Sequence, residues 1–309
     1  MTSPIVVCDT VDTFHTYSPT EPWWTETVWF GAWIPEAAIT IYFYNWFRPV
    51  LGIYGGGCLV WDGSGHLPWD APVYRYDVNA PITSPVDLRD MSLPGGNWLK
   101  SVEPGLVYDM GYASPGVRLN MRFSGLLPAE ETSAHGTSEF FAGHIDQPGH
   151  YTGSLELDGK HWQIDCHGIR DRSWGPRIIG DDIRLGYCHG QSADFAFLAY
   201  SKPGGELEPV FKGYVMQDGI KSAVKEGHRR VCYHGGELRW IEVHLVDELG
   251  RGVDIRGRPI NRFVYLPYAN LVCWLFLMEW EGPTGVLYGE EQDAWSTALW
   301  RNRREIPAA

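Results

Sequence analysis

Short runs of β-branched and aromatic residues, separated by Gly, Pro, Asn and Asp clusters, recur along almost the whole chain. Thr27–Ile34, Ala38–Trp46, Ile53–Trp61, Leu106–Tyr112 and Val117–Phe123 read as strands. In Arg118–Phe123 the residues Leu119, Met121 and Phe123 face one way, and Arg118, Asn120 and Arg122 the other. That alternation marks a half-buried antiparallel strand. Leu155–Trp162 reads as a hairpin turning at Asp158-Gly159, and Asp218-Gly219 after Phe211–Gln217 repeats the signal. Further strands are expected at Ile183–His189, Phe195–Ser201, Arg230–Tyr233, Leu238–Asp247, Arg262–Leu266 and Val272–Trp280. Helical spacing is best at Glu290–Arg301, where Ala294, Ala298 and Leu299 share a side. About fifteen short strands at near-regular spacing predict an all-β protein of antiparallel barrels or sandwiches with a short C-terminal helix. The Pro/Gly-rich stretch Arg170–Gly180 reads as a loop and as the boundary of two β domains, 1–170 and 171–309. Several strands are aromatic on both faces: Trp29, Phe30 and Trp33; Tyr42, Phe43 and Trp46; Trp274, Phe276 and Trp280. Such strands must be covered twice, by a barrel core on one face and by the other domain or a hydrophobic ligand on the other.

Composition narrows the class. Of 309 residues 36 are Gly, 14% are aromatic and 20% are charged, with no G-X-Y period or heptad register, which excludes collagen, coiled coil and disorder. The net charge of −13 opposes binding to phosphate backbones, so no nucleic-acid partner is expected. No apolar run approaches the ~18 residues of a membrane span. The longest, Leu271–Trp280, contains Glu279. The opening MTSPIVVCDT lacks the pattern of a signal peptide. The six cysteines, at positions 8, 58, 166, 188, 232 and 273, form no C-x-x-C and read as free thiols in a reducing cytoplasm.

The densest chemistry lies in His167-Gly-Ile-Arg-Asp-Arg-Ser-Trp-Gly-Pro-Arg177. The preceding strand puts His161, Gln163, Asp165 and His167 on a polar face. Asp171 stands between Arg170 and Arg172, which would keep it ionised if they pair with it, suiting a base or a partner orienting His167 or His189. The same stretch also reads as a structural clamp, with Trp174 as its plug. In Ile183–His189, Tyr187 and His189 are polar tips on an apolar face. Glu279 shares a face with Cys273, Leu275 and Leu277, and is either a desolvated general acid or a strand end emerging into solvent. His144 and Asp146 alternate with Phe140 and Ala142. His144-x-Asp146 and Cys188-His189 are only fragments of metal motifs. Gly55–Gly57 lacks the Lys-Ser/Thr of a phosphate loop, and no G-x-S-x-G elbow occurs. Arg301, Arg303 and Arg304 read as a solvated end.

The segments His144-Ile-Asp-Gln-Pro-Gly149, Gly153 and Gly168-Ile-Arg-Asp-Arg-Ser-Trp-Gly-Pro-Arg177 resemble the hydroxyneurosporene-synthase-like (carotenoid 1,2-hydratase) superfamily, in its bacterial branch with an RD-x-SWGPR signature. The resemblance implies two lipocalin-like β domains packed together, a hydrophobic substrate, and no redox cofactor. Relatives of that kind include carotenoid and phytoalexin hydratases and fungal cyclases. The expected function is therefore a cofactor-independent, cytoplasmic lyase or isomerase acting on a terpenoid, steroid, polyketide or aromatic compound. Asp171, His144, Tyr187, His189 and Glu279 are the catalytic candidates. Trp174, Arg172, Arg177, His167 and Trp274 are the substrate-binding ones. No metal is expected, and a homodimer is left open. The alternative functions are a non-catalytic binder of lipocalin type and a structural β scaffold.

Overall fold

The computed structural model describes residues 9–83, 87–131 and 142–302. Cys8, Phe140, Arg303 and Arg304 lie outside the described residues. The chain divides into two compact units. Unit 1 takes the chain up to Ile34, then Ile41–Val60 and Pro72–Ile178. Unit 2 takes Pro35–Thr40, Trp61–Ala71 and the chain from Ile179 on.

Unit 1 is built on strands β1 (Trp24–Ile34), β2 (Ile39–Arg48), β3 (Ile53–Trp61), β4 (Val73–Pro81), β5 (Asp90–Ser92), β6 (Asn97–Glu103), β7 (Val107–Ser114), β8 (Val117–Gly125), β9 (Gly143–Leu157) and β10 (Lys160–Pro176). They form one curled sheet in the order β4-β3-β2-β1-β10-β9-β8-β7-β6-β5. Its inner face is filled by Phe30, Phe43, Tyr108, Phe123 and Tyr151, all fully buried. Phe30 stands 5.5 Å from Tyr108 and 5.7 Å from Phe123, ring centre to ring centre, in tilted and edge-on contacts that suit aromatic quadrupoles.

Unit 2 carries β11 (Arg184–Gln191), β12 (Phe195–Ser201), β13 (Glu208–Gln217), β14 (Ile220–His234), β15 (Glu237–Asp247), β16 (Gly252–Pro259), β17 (Phe263–Tyr268), β18 (Leu271–Gly282), β19 (Gly285–Ser296) and one short helix, α1 (Thr297–Asn302). Eight strands run in the order β16-β15-β14-β13-β12-β11-β19-β18, and β16 pairs with β18 to close them into a barrel. Phe195, Phe197, Ile241, Leu245, Met278 and Trp280 pack its interior. Closure of this kind removes the exposed sheet edges.

The all-β, antiparallel, lipocalin-like expectation holds, as does a short C-terminal helix. Both Asp-Gly turns adopt positive φ at each residue: 49° and 78° at Asp158-Gly159, 52° and 75° at Asp218-Gly219. This is the two-residue hairpin geometry the sequence asks for. Two expectations need correction. Residues 290–296 belong to β19, and only Thr297–Asn302 is helical. Glu290, Glu291 and Asp293 are buried strand residues with basic partners, so their acidic run had disguised the strand. Arg170–Pro176 is likewise strand rather than loop, since β10 runs on to Pro176 between β1 and β9. The described cysteines, Cys58, Cys166, Cys188, Cys232 and Cys273, are free thiols.

Candidate functional site

The strand character of β10 decides where the signature residues point. Successive side chains leave a strand on opposite faces. Asp171 and Ser173 therefore share one face, and Arg170, Arg172 and Trp174 share the other. Register extends each face to the neighbouring strands. Thr27, Ser173 and His144 lie in one row across β1, β10 and β9, and Trp29, Asp171 and Asp146 lie in the next.

These two rows hold the candidate site. His144 Nε2 is 2.9 Å from Asp146 Oδ2 and 3.3 Å from Asp171 Oδ2. The side chains of His144 and Asp146 are 5% and 0% exposed, whereas Asp171 retains 19%. Asp171 is thus the most exposed member of the trio. In the adjoining row, Thr27 Oγ1 and Ser173 Oγ are 2.7 Å apart, and Arg177 Nη2 donates to Ser173 Oγ at 2.7 Å. Arg177 is itself buried. Gly175, with φ of 132°, would bring any Cβ to 2.4 Å from the Ala142 nitrogen, so only glycine lets β10 pass there.

A histidine whose Nε2 faces two carboxylates can hold a proton there, pass it on and take it back. The same donor set also suits a divalent cation, because the three ligand atoms lie within 4.8 Å of one another.

The other face of β10 has a different use. Arg172 Nη2 donates to Glu26 Oε2 at 2.8 Å and to the Thr13 carbonyl at 2.6 Å. Burial lowers the Arg172 guanidinium from its ordinary value, and the charge of Glu26 acts in the opposite direction. Arg170 lies over the Tyr108 ring at 4.4 Å and bonds to Gln147. The Trp174 ring stacks on His15 at 3.7 Å and packs with Val11 and Ile145. Whether Arg170 and Arg172 pair with the Asp171 carboxylate is thereby decided: alternation turns both away, and Asp171 meets His144. The Arg172 and Trp174 side chains lie in the inner packing of unit 1, on the face opposite Asp171. His167 opposes His150 across β9 and β10, with ring centres 4.7 Å apart.

In unit 2 the candidates fall into three places. Tyr187 and His189 share the outer face of β11, with ring centres 5.4 Å apart. Both are buried, and His189 Nδ1 lies 3.0 Å from the Gln191 side-chain amide. His189 Nε2 is 3.9 Å from Glu290 Oε2. Trp274 packs against the barrel core and stacks loosely with His66 at 6.3 Å. Glu279 is not the desolvated acid that its strand pattern allowed. Its carboxylate pairs with Arg258 Nη2 at 2.6 Å, directly across the β16–β18 pairing, and the side chain is 25% exposed.

Sequence reasoning offered His167 or His189 as the residue that Asp171 orients, and did not name Thr27, Trp29 or Ser173 as site residues. The alternation of His144 and Asp146 was the available signal for the trio. The other signal would have been to continue the strand periodicity of His161–His167 into the signature.

A family model described as Domain of unknown function (DUF7064) matches residues 9–293. The chain belongs to this family. No curated protein matches it in sequence. The fold is nevertheless shared with solved structures. CghA has a TM-score of 0.55 at 12% identity, with 89% of each chain covered. An AttH-type protein from Nitrosomonas europaea has 0.52 at 12% identity, covering 87% of this chain and 92% of the other. Kievitone hydratase from Nectria haematococca has 0.50 at 10% identity, covering 89% and 88%. Identities this low establish the fold of this DUF7064 member and leave its chemistry to its own residues.

Proposed function

We propose that this protein is an enzyme, a lyase or isomerase that moves protons on a hydrophobic small molecule without a redox cofactor. The observation that carries the reading is the His144 imidazole facing Asp146 and Asp171 on one face of β9 and β10. Asp146, fully buried, fixes the ring. Asp171, the exposed member, faces the substrate and exchanges the proton with His144 Nε2. Ser173, Thr27 and Arg177 hold an oxygen of the substrate beside it. Trp29, in the same row as Asp171, supplies an aromatic wall suited to developing positive charge at carbon. Hydration or dehydration, double-bond migration and acid-assisted cyclisation can each be run by a set of this kind. Kievitone hydratase shares the fold and is a hydratase by its name, and CghA has been solved with Sch210972 bound. These neighbours support an enzyme of this chemical style and membership of the hydratase superfamily.

A lipocalin-type binder would keep its ligand inside a barrel. Here the interior of unit 2 is filled by its own Phe197, Met278 and Trp280, and that of unit 1 by Phe30, Phe123, Arg170 and Arg172. This favours the enzyme.

The test is exchange in D2O. Hydrophobic enones, prenylated phenols and terpenoid alkenes are incubated with the protein, and deuterium uptake or water addition is read by mass spectrometry. Turnover in the wild type that Asp171→Asn and His144→Gln abolish supports the reading. Binding of such compounds with no exchange in any protein overturns it. If exhaustive chelation abolishes turnover and one divalent ion restores it, the trio acts as metal ligands instead.

A further inference from the structure

The outer face of the barrel carries a second constellation, distant in the sequence from the signature. His228 on β14 directly opposes His244 on β15, and His244 directly opposes Asp254 on β16. Directly opposed residues of antiparallel strands have Cβ atoms about 4.5–5.5 Å apart, so their side chains touch. The two imidazoles do so, with ring centres 5.3 Å apart and planes inclined by 32°. His244 Nδ1 is 2.7 Å from Asp254 Oδ1. A carboxylate only accepts, so Nδ1 bears the proton and the His244 Nε2 lone pair remains for a ligand bond. A carboxylate behind a histidine is the usual outer-shell arrangement of a metal-binding imidazole: it fixes the ring and raises its basicity.

The surroundings fit a cation. The residues line a depression of about 420 Å³ that also includes Arg230, Glu242, Arg256 and Glu281. Both arginines are engaged, Arg230 with Glu206 and Glu242 at 3.7 Å and Arg256 with Glu242 at 3.9 Å. On the other side of the histidine row the outward positions are Glu226, Val246 and Gly252. The row itself therefore carries the unbalanced charge of Asp254, on a chain of net −13. Hard ions such as Ca²⁺ and Mg²⁺ ask for oxygen cages, whereas imidazole suits copper, nickel and zinc.

We infer that His228 and His244, with Asp254 behind the latter, form a surface site for one divalent transition-metal ion, its remaining positions open to water or a partner's ligand. The site is independent of the chemistry proposed for unit 1.

The experiment titrates the full-length protein with Ni²⁺ and Cu²⁺ by calorimetry. A His150→Ala background silences the other opposed histidine pair, and circular dichroism checks that each variant is folded. His228→Ala and His244→Ala are expected to weaken binding by roughly tenfold or more, and Asp254→Asn by about tenfold. Copper electron paramagnetic resonance is expected to show coupling to two imidazole nitrogens, falling to one in either histidine variant. Unchanged affinity in both histidine variants overturns the inference. So does a signal with fewer than two imidazoles, or binding lost in Asp171→Asn instead.

Discussion

Both units enclose an arginine among carboxylates, and they use it differently. In unit 1 Arg172 meets one carboxylate, Glu26, and a backbone carbonyl of the segment leading into β1. The strand that carries Arg172 also carries the candidate site on its reverse face. In unit 2 Arg229 lies inside the closed barrel, with Nε donating to Glu208 at 2.6 Å and Nη1 paired with Glu291. Nearby, Asp293 pairs with Arg184 and accepts from the Trp295 ring nitrogen at 3.0 Å. Three buried carboxylates thus share two guanidinium groups. Burial pushes the Glu291 carboxyl up to about 8 against the pull of Arg229, and its Oε2 is buried without a hydrogen-bond partner among the described residues. Space was cleared for this network: a Cβ on Gly186 would fall 2.3 Å from the Arg229 guanidinium. Buried ion pairs are weak contributors to net stability and costly to break, so both arginines act as constraints on what surrounds them. In unit 1 that constraint reaches a site, and in unit 2 it closes a core.

The largest effect expected from this contrast separates chemistry from folding. Asp171→Asn should lower turnover by ~10²–10⁴, the range for removing general acid–base help, with the melting temperature nearly unchanged. Unfolding of the variant with full specific activity in the folded fraction would make Asp171 structural. Next come the two arginines. Arg229→Ala should cost about 3–5 kcal/mol by leaving the buried Glu208 carboxylate unpaired, and Arg172→Ala should cost less, because Glu26 keeps its bonds to His15 and Trp24. Denaturant titration gives the stability. Only Arg172→Ala should also lower turnover in the fraction that remains folded. Equal catalytic loss in both would erase the distinction. Trp174→Ala should cost ~3–5 kcal/mol, because its ring is inner packing of unit 1.

A smaller effect concerns pH. The unfolded Glu291 carboxyl has its ordinary value of 4.5 and the folded one about 8. The folded state therefore binds the extra proton between those values. Its contribution to stability is full below about 4.5, falls as pH rises, and is lost above about 8. Melting curves at pH 6 and pH 9 should differ less in Glu291→Gln than in the wild type. The smallest effect belongs to Glu279→Gln, which removes a partly exposed pair with Arg258 and should shift stability by no more than ~1 kcal/mol.

The fold was legible where alternation and turn chemistry agreed, as in Val117–Phe123 and the two Asp-Gly hairpins. It was hidden where a strand had polar residues on both faces. β4, Val73–Pro81, sits at the sheet edge with most positions partly or fully exposed, so no apolar period marks it. β19 was hidden because its interior residues are acids matched by arginines from distant strands. The site was legible in its members His144 and Asp171. Their partnership was not, because neighbours in sequence suggested arginines while the β9–β10 register supplied the histidine and Asp146. Glu279 shows the converse: its place on an apolar face was read correctly, but Arg258, opposite it on β16, decides its surroundings.

The two faces of β10 have a consequence for how the protein can change. Within seven residues, even positions answer to the inside of unit 1 and odd positions to the candidate site. A library randomised at 171 and 173 explores reactivity while the buried inner-face set of Arg170, Arg172 and Trp174 stays intact. A library randomised at the even positions mostly samples collapse. Selection for a new substrate should therefore fix changes at every second residue of this strand, leaving a comb-like trace in the descendants' sequences.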